Sequence, residues 1–433
     1  MEGLLRRVLT RVVKVRADEI RTMLWAFVYF FCLLSSYYIL RPLRDESGVA
    51  AGVANLPWLF SGTFFVMLAA APLFGALVTR MPRRRFILWV YRFFILNILI
   101  FFALQHAGWG RAYVAGAFFI WVSVFNLFVV TVFWGFMADL FTSEQGKRLF
   151  GFIAAGGSAG ALVGPSLTAW LVVPLGPVNL LLISAVLLEA AVQCVNRILY
   201  TPQAERPAVA GEGIIEDPND QVIGGGILAG LTEIARSPYL MLICCHVLLL
   251  SLTSTFLYFQ QASIVAAAFD NPAERTRVFA LIDLSIGLIT ITIQLTVTGR
   301  VLVRLGVGAA LSSLAIVTAA GFLALAVMPV LAVVVAFQSL KRATEFGFAN
   351  PARETLFTVV TREQKYKAKS VIDTAVFRGG DAVNGWIYAG LRGLGLDMSG
   401  IALVAVPISA AWAALLLTLG RRQERLAQPQ PAE

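Results

Sequence analysis

Charged side chains set inside apolar runs offer the most chemistry in this sequence. Lys341, Arg342 and Glu345 interrupt one such run, and Lys341 and Glu345 stand one helical turn apart. Arg378 and Asp381 have a similar relation in another run, Asp283 sits in a third, and Arg92 lies near the inner end of a fourth. A charge in hydrocarbon costs on the order of 3 kcal/mol, so such residues either mark a path for solute or ions or neutralise one another as packing pairs. The first apolar run closes on Arg41-Pro42-Leu43-Arg44-Asp45-Glu46. Pro42 can bend a helix there, and Arg41 and Arg44 share a face. The two arginines can receive an anion or pair with Asp45 and Glu46.

Other chemistries lack their residues. No nucleophile with an adjacent base is visible, nor the Gly-Lys-Ser/Thr of a phosphate loop. Cys32, Cys194, Cys244 and Cys245 all lie in apolar stretches without a CxxC pair, and His106 and His246 are the only histidines, so neither disulfide nor metal is expected. No cofactor and no enzymatic activity are expected. The net charge of +10 is scattered through short connections and not gathered into a stripe, which argues against a nucleic-acid partner.

The elements that carry these charges are membrane helices. Hydrophobic residues make up 58% of the 433 positions and charged ones 14%, against roughly 25% charged in a soluble domain. Apolar runs long enough to cross about 30 Å of hydrocarbon recur from end to end. They run near 23–40, 57–78, 86–104, 113–137, 151–173 and 180–199, and then near 240–262, 279–298, 307–327, 331–349, 371–391 and 401–419. The expected fold is an all-α polytopic membrane protein of about twelve spans in two pseudo-symmetric six-helix bundles. Its expected parts are a basic amphipathic segment, 1–22, that meets lipid headgroups, a first bundle, 23–200, and a polar linker, 201–238. A second bundle, 239–420, and a short tail, 421–433, complete it.

Lysine and arginine set the orientation. With the N-terminus inside, the clusters Arg83-Arg84-Arg85, Lys365, Lys367 and Lys369, and Arg421-Arg422 all fall on the cytoplasmic side. The expected location is a bacterial inner membrane, with both termini cytoplasmic. Internal echoes support a duplication. Thr142-Ser143-Glu144-Gln145 before the fifth span matches Thr361-Arg362-Glu363-Gln364 before the eleventh, and Gly75 to Arg85 matches Gly299 to Gly306. Gly156, Gly160 and Gly164, four apart on one face, are expected to let neighbouring backbones touch.

Two resemblances follow from these motifs. The Gly75 to Arg85 loop is similar to the cytoplasmic motif between the second and third helices of the major facilitator superfamily, which implies a gating role for Arg83 and Arg84. Positive-inside topology alone would also place them there. The run Leu40-Arg41-Pro42-Leu43-Arg44-Asp45 resembles the Leu-Arg-x-x-Lys-Asp segment in the first helix of ATP/ADP translocases of intracellular bacteria and plastids. Asn350-Pro351-Ala352-Arg353-Glu354, Lys367 to Asp373, and Arg378-Gly379-Gly380 resemble that family's pattern around helices ten and eleven. Arginine stands at 44 and 353 where the family has lysine, and Ala54 to Phe60 replaces its Glu-Ile-Ile-Pro-Phe-Leu-Lys.

The resemblance implies a major-facilitator-like secondary transporter that exchanges nucleotides by alternating access, with Arg44 and Arg353 on phosphate. On this reading Arg41, Arg44, Lys341, Arg342, Arg353 and Arg378 contact a small anionic solute. Asp45, Asp283, Glu345, Asp373 and Asp381, with Arg83 and Arg84, serve coupling or gating. The alternative is a proton-coupled transporter of another organic solute. The expected partners are that solute and membrane lipid, and the expected state is a monomer.

Overall fold

A computed structural model describes residues 16, 19–80, 83–199, 227–296, 298–361, 364, 368–369 and 371–427. The expected basic segment and linker therefore lie largely outside the described residues, as do Lys365, Lys367 and the end of the tail. What is described is almost wholly helical: α1 (Ile20–Ala50), α2 (Leu56–Arg80), α3 (Arg83–His106), α4 (Arg111–Leu140), α5 (Ser143–Leu175), α6 (Leu180–Leu199) and the short α7 (Ile227–Arg236). There follow α8 (Pro238–Ala268), α9 (Pro272–Thr296), α10 (Thr298–Val327), α11 (Leu331–Thr344), α12 (Asn350–Leu356), α13 (Phe377–Gly393) and α14 (Met398–Ala427).

Ten of these helices, among the described residues, are long and apolar enough to cross a membrane. The tenth and eleventh expected spans are divided into shorter pieces. Each contains a π-turn, Glu345–Ala349 and Ile372–Val376, and each carries the charged residues singled out above. A π-turn inserts one residue into the helical ladder and re-aims the side chains that follow, a feature concentrated at functional positions.

The helix ends follow from local sequence. Ser237 accepts from the Leu240 N–H and is followed by Pro238 at the first helical position, which starts α8. Thr142 and Gln145 form a reciprocal capping box that opens α5. Thr361 and Gln364 make the same reciprocal bonds in the second half of the chain. The echo extends further: the Gln145 amide donates to Glu19, just before α1, at 3.1 Å, and the Gln364 amide donates to Glu233, in α7, at 3.4 Å. Each half thus ties the start of its first span to the loop before its fifth.

The chain forms two compact units. One comprises Met1–Ala51, Val66–Asn219 and Asn271–Leu284; the other comprises Gly52–Phe65, Asp220–Asp270 and Ser285–Glu433. In the first unit, α1 packs along α5, α6 and α4. The glycines of α5 make this possible: a Cβ on Gly156 would lie 2.4 Å from the Phe27 carbonyl oxygen, and one on Gly160 would lie 2.6 Å from that of Phe31. Around them Phe30, Phe125, Phe133, Leu188 and Val192 form the core. In the second unit, α10 packs on α14, and α8 packs on α13 and α14, around Leu250, Leu314, Trp412 and Leu416. Trp89 and Trp170 are among the large apolar residues left outward, which suits a surface solvated by lipid.

Candidate functional site

In the first unit the end of α1 gathers the charges. Arg41 pairs with Asp283 of α9 at 3.1 Å, and both side chains are nearly excluded from solvent, at 11% and 4% exposed. The Arg41 guanidinium also lies 5.8 Å from the Tyr38 ring centroid. Arg44 donates through Nε to Ser123 Oγ at 3.0 Å, pairs with Asp45 at 3.1 Å and stacks 3.8 Å from the Phe119 ring centroid. Glu46 pairs with Arg275, at the start of α9, at 2.8 Å.

Removing charges from water is costly unless they are paired and hydrogen-bonded. The Arg41-to-Glu46 cluster meets that requirement by drawing on α4 and on α9. Asp283 Oδ2 is buried and accepts no hydrogen bond among the described residues.

The second unit holds the other set. Lys341, 1% exposed, donates to Ser254 Oγ of α8 at 2.7 Å. Arg342, one residue on, lies 5.5 Å from the Phe346 ring centroid. The π-turn starts at Glu345, so the helix changes register between Lys341 and the residues beyond it. Arg378 stands 3.7 Å from Asp381. Asp381 in turn accepts from Ser251 Oγ at 2.7 Å, and Ser251 accepts from Asn384 at 3.0 Å.

Arg353 in α12 pairs with Asp373 in the second π-turn, and Glu354 pairs with Lys369 at 2.6 Å. These bonds cross between the two stretches that carry the sequence resemblance. Phe346, Asn350, Pro351, Arg353 and Glu354 line a cavity of about 420 Å³.

The placement of the sequence-derived candidates is therefore uneven. Arg41, Arg44, Asp45 and Asp283 come together in the first unit. Arg353 and Asp373 meet in the second, as do Arg378 and Asp381. Lys341 finds a hydroxyl, and Arg342 an aromatic face. Arg83 and Arg84 open α3, but their side chains lie outside the described residues. Arg92 is exposed on α3, where its long stem can reach the headgroup level.

Several partners escaped the sequence reading. Arg275 and Glu46 are 229 residues apart, and Ser251, Ser254 and Asn384 are small polar residues without a periodic signal. Where the translocases carry a glutamate and a lysine, the corresponding segment here packs aromatics. Phe60 meets Phe259 at 5.3 Å, and Trp386 stacks edge-on against Trp58 at 4.7 Å while donating to Ser61.

A multi-pass helical membrane protein with buried charge clusters and a cavity of solute size is a secondary transporter in build. The chain belongs to the Major Facilitator Superfamily, whose family model matches residues 26–380. It is 23% identical to the ADP,ATP carrier protein 1 of Chlamydia muridarum, over 87% of this chain and 83% of that one. The corresponding carrier of Chlamydia trachomatis is 22% identical over the same shares.

Solved structures share the fold. An auto-inhibited POT family peptide transporter superposes with a TM-score of 0.63 at 15% identity, covering 95% of this chain and 98% of that chain. The nucleoside transporter NupG gives 0.60 at 14% identity, covering 95% of this chain and 100% of that chain. A bacterial homologue of the iron transporter ferroportin, in an inward-facing state, gives 0.63 at 13% identity over 96% and 100%. The chain is a membrane secondary transporter of a small-molecule substrate.

Proposed function

We propose that this transporter exchanges nucleotides, or a closely related phosphorylated anion, by alternating access across a bacterial inner membrane, with both termini in the cytoplasm. The observation that carries this reading is the cavity at Asn350, Pro351, Arg353 and Glu354. The same residues bear the resemblance to ATP/ADP translocases, and about 420 Å³ falls in the range that small-molecule sites occupy. Arg353 supplies a planar fork suited to a phosphate. Arg41, Arg44, Lys341, Arg342 and Arg378 are the other basic groups assigned to the solute. Asp45, Asp283, Glu345, Asp373 and Asp381, with Arg83 and Arg84, are assigned to coupling or gating.

In this scheme the arriving anion competes with Asp373 for Arg353, and release of that ion pair frees the second π-turn to move. The similarity to the Chlamydia carriers over most of both chains supports the substrate class. The test is uptake of labelled ATP into proteoliposomes loaded with ADP, with other nucleotides or with buffer alone. Saturable uptake that requires internal nucleotide is expected; uptake that ignores the internal content would defeat exchange.

One observation favours a second reading. The buried, unbonded Oδ2 of Asp283 is a place where a proton can sit, as a proton-coupled carrier of an organic solute would need. Uptake driven by a pH gradient without internal nucleotide would select that alternative.

A further inference from the structure

The second unit has another cavity, of about 430 Å³, which shares no lining residue with the one at Asn350–Glu354. Its walls come from three places: the first turn of α8 with Tyr239, the bend at Val359 and Val360, and the end of α14 with Arg422, Arg425 and Leu426. Arg422 and Arg425 are three apart and so project from one side of the helix. Among the described residues no aspartate or glutamate lines the cavity, and the two guanidinium groups are the charges those residues bring to it.

Its apolar wall is as informative as its charge. Leu426 stands 54% exposed beside Arg425, and Val359 and Val360 continue the apolar face. A free inorganic anion would need the arginines but gain nothing from that wall. The position matches, because these residues follow the apolar stretch of α14, where a span of that length reaches the headgroups. Two arginines over an apolar wall at that depth suit an amphiphile with a phosphate head.

We propose that this cavity binds an anionic phospholipid of the adjoining leaflet, its phosphate on Arg422 and Arg425 and its glycerol and upper acyl chain against Leu426, Val359 and Val360. Occupancy would join the end of the last span to the start of α8 and to the connection that leads to Gln364 and its bond with Glu233. The lipid thereby becomes a stiffening element of the second unit. The proposal does not depend on the transported solute, and its test reads lipid and not transport.

The experiment is native mass spectrometry of the purified full-length chain, titrated with phosphatidylglycerol or phosphatidylcholine. Wild type is expected to retain one phosphatidylglycerol in preference to phosphatidylcholine. The double variant Arg422→Gln/Arg425→Gln should weaken that retention about thirtyfold, the sum of two headgroup-level charges. Arg422→Lys/Arg425→Lys should recover most of it, and Arg421→Gln, next to the cavity but not lining it, should change it by less than about fivefold.

Equal retention of the two lipids, or wild-type retention in the double glutamine variant, would overturn the proposal. Displacement of the lipid by millimolar inorganic phosphate or ADP would overturn it in favour of a soluble anion. Unchanged thermal unfolding of the lipid-free variants separates loss of the site from loss of fold.

Discussion

Replacing Asp283 by Asn tests a buried charge pair that joins two helices. At 3.1 Å, and with the effective dielectric of about 20 that suits most protein sites, Arg41 and Asp283 attract by about 5 kcal/mol. Removing one partner of a buried pair leaves the other uncompensated, which costs about 3 to 5 kcal/mol. Asp283→Asn and Arg41→Gln should therefore each be strongly destabilising. The double variant Arg41→Gln/Asp283→Asn carries no orphan charge and should be more stable than either single one. The cycle is then non-additive by at least about 2 kcal/mol.

The measurement is unfolding of all four proteins in mixed micelles by titration with a denaturing detergent. Exchange in proteoliposomes should follow separately. Because the pair joins α1 to α9, the double variant should regain folded protein without regaining wild-type transport. If the double variant is destabilised by the sum of the singles, to within about 0.5 kcal/mol, the two residues act independently and the argument fails.

The remaining predictions concern other contacts. Gly156→Ala or Gly160→Ala drives a methyl into a carbonyl oxygen of α1 and should cost about 1 to 3 kcal/mol, whereas Gly151→Ala on the same helix meets nothing within 4 Å and should be neutral or stabilising; comparable stability of all three would refute the close approach. Lys341→Gln should leave folding and membrane insertion intact while lowering exchange at least about tenfold if Lys341 contacts the solute, and wild-type exchange would remove it from the site. Glu19 precedes the first span. Burial would raise its carboxyl, but hydrogen bonds from Arg148, the Arg16 N–H and Gln145 outweigh that and hold it below the usual carboxylate range. Because the folded value is depressed, the stability it contributes is present above the unfolded value of about 4.3 and is lost as pH falls through the folded one. The gap in melting temperature between wild type and Glu19→Gln should thus be full at neutral pH and close in acid, and a gap independent of pH would show that the charge is not its source.

Much of the protein was legible in one dimension because the bilayer imposes a simple rule. A helix in hydrocarbon must satisfy its backbone internally and show apolar side chains outward, so spans appear as long apolar runs whatever their neighbours. The Thr142-to-Gln145 and Thr361-to-Gln364 echoes were readable for a related reason, since a capping box is closed by residues three apart. The glycine face of α5 likewise follows from helical periodicity, and the structure shows α1 lying against it.

Partners across long separations obey no such rule. Sequence showed that Arg41 and Asp283 were charges in apolar surroundings, but with Asp45 and Glu46 beside it nothing in the run told Arg41 to bond to α9. The same holds for Lys341, whose neighbour in sequence is Glu345 and whose hydrogen bond goes to Ser254 on another helix. The π-turns were invisible too, because one added residue in a helix leaves the apolar pattern almost unchanged while turning every later side chain by about 100°. Sequence alone thus determined the helical build and the charges it carries. The tertiary structure decided which charges meet, because pairing energy depends on distance and burial, and neither is written along the chain.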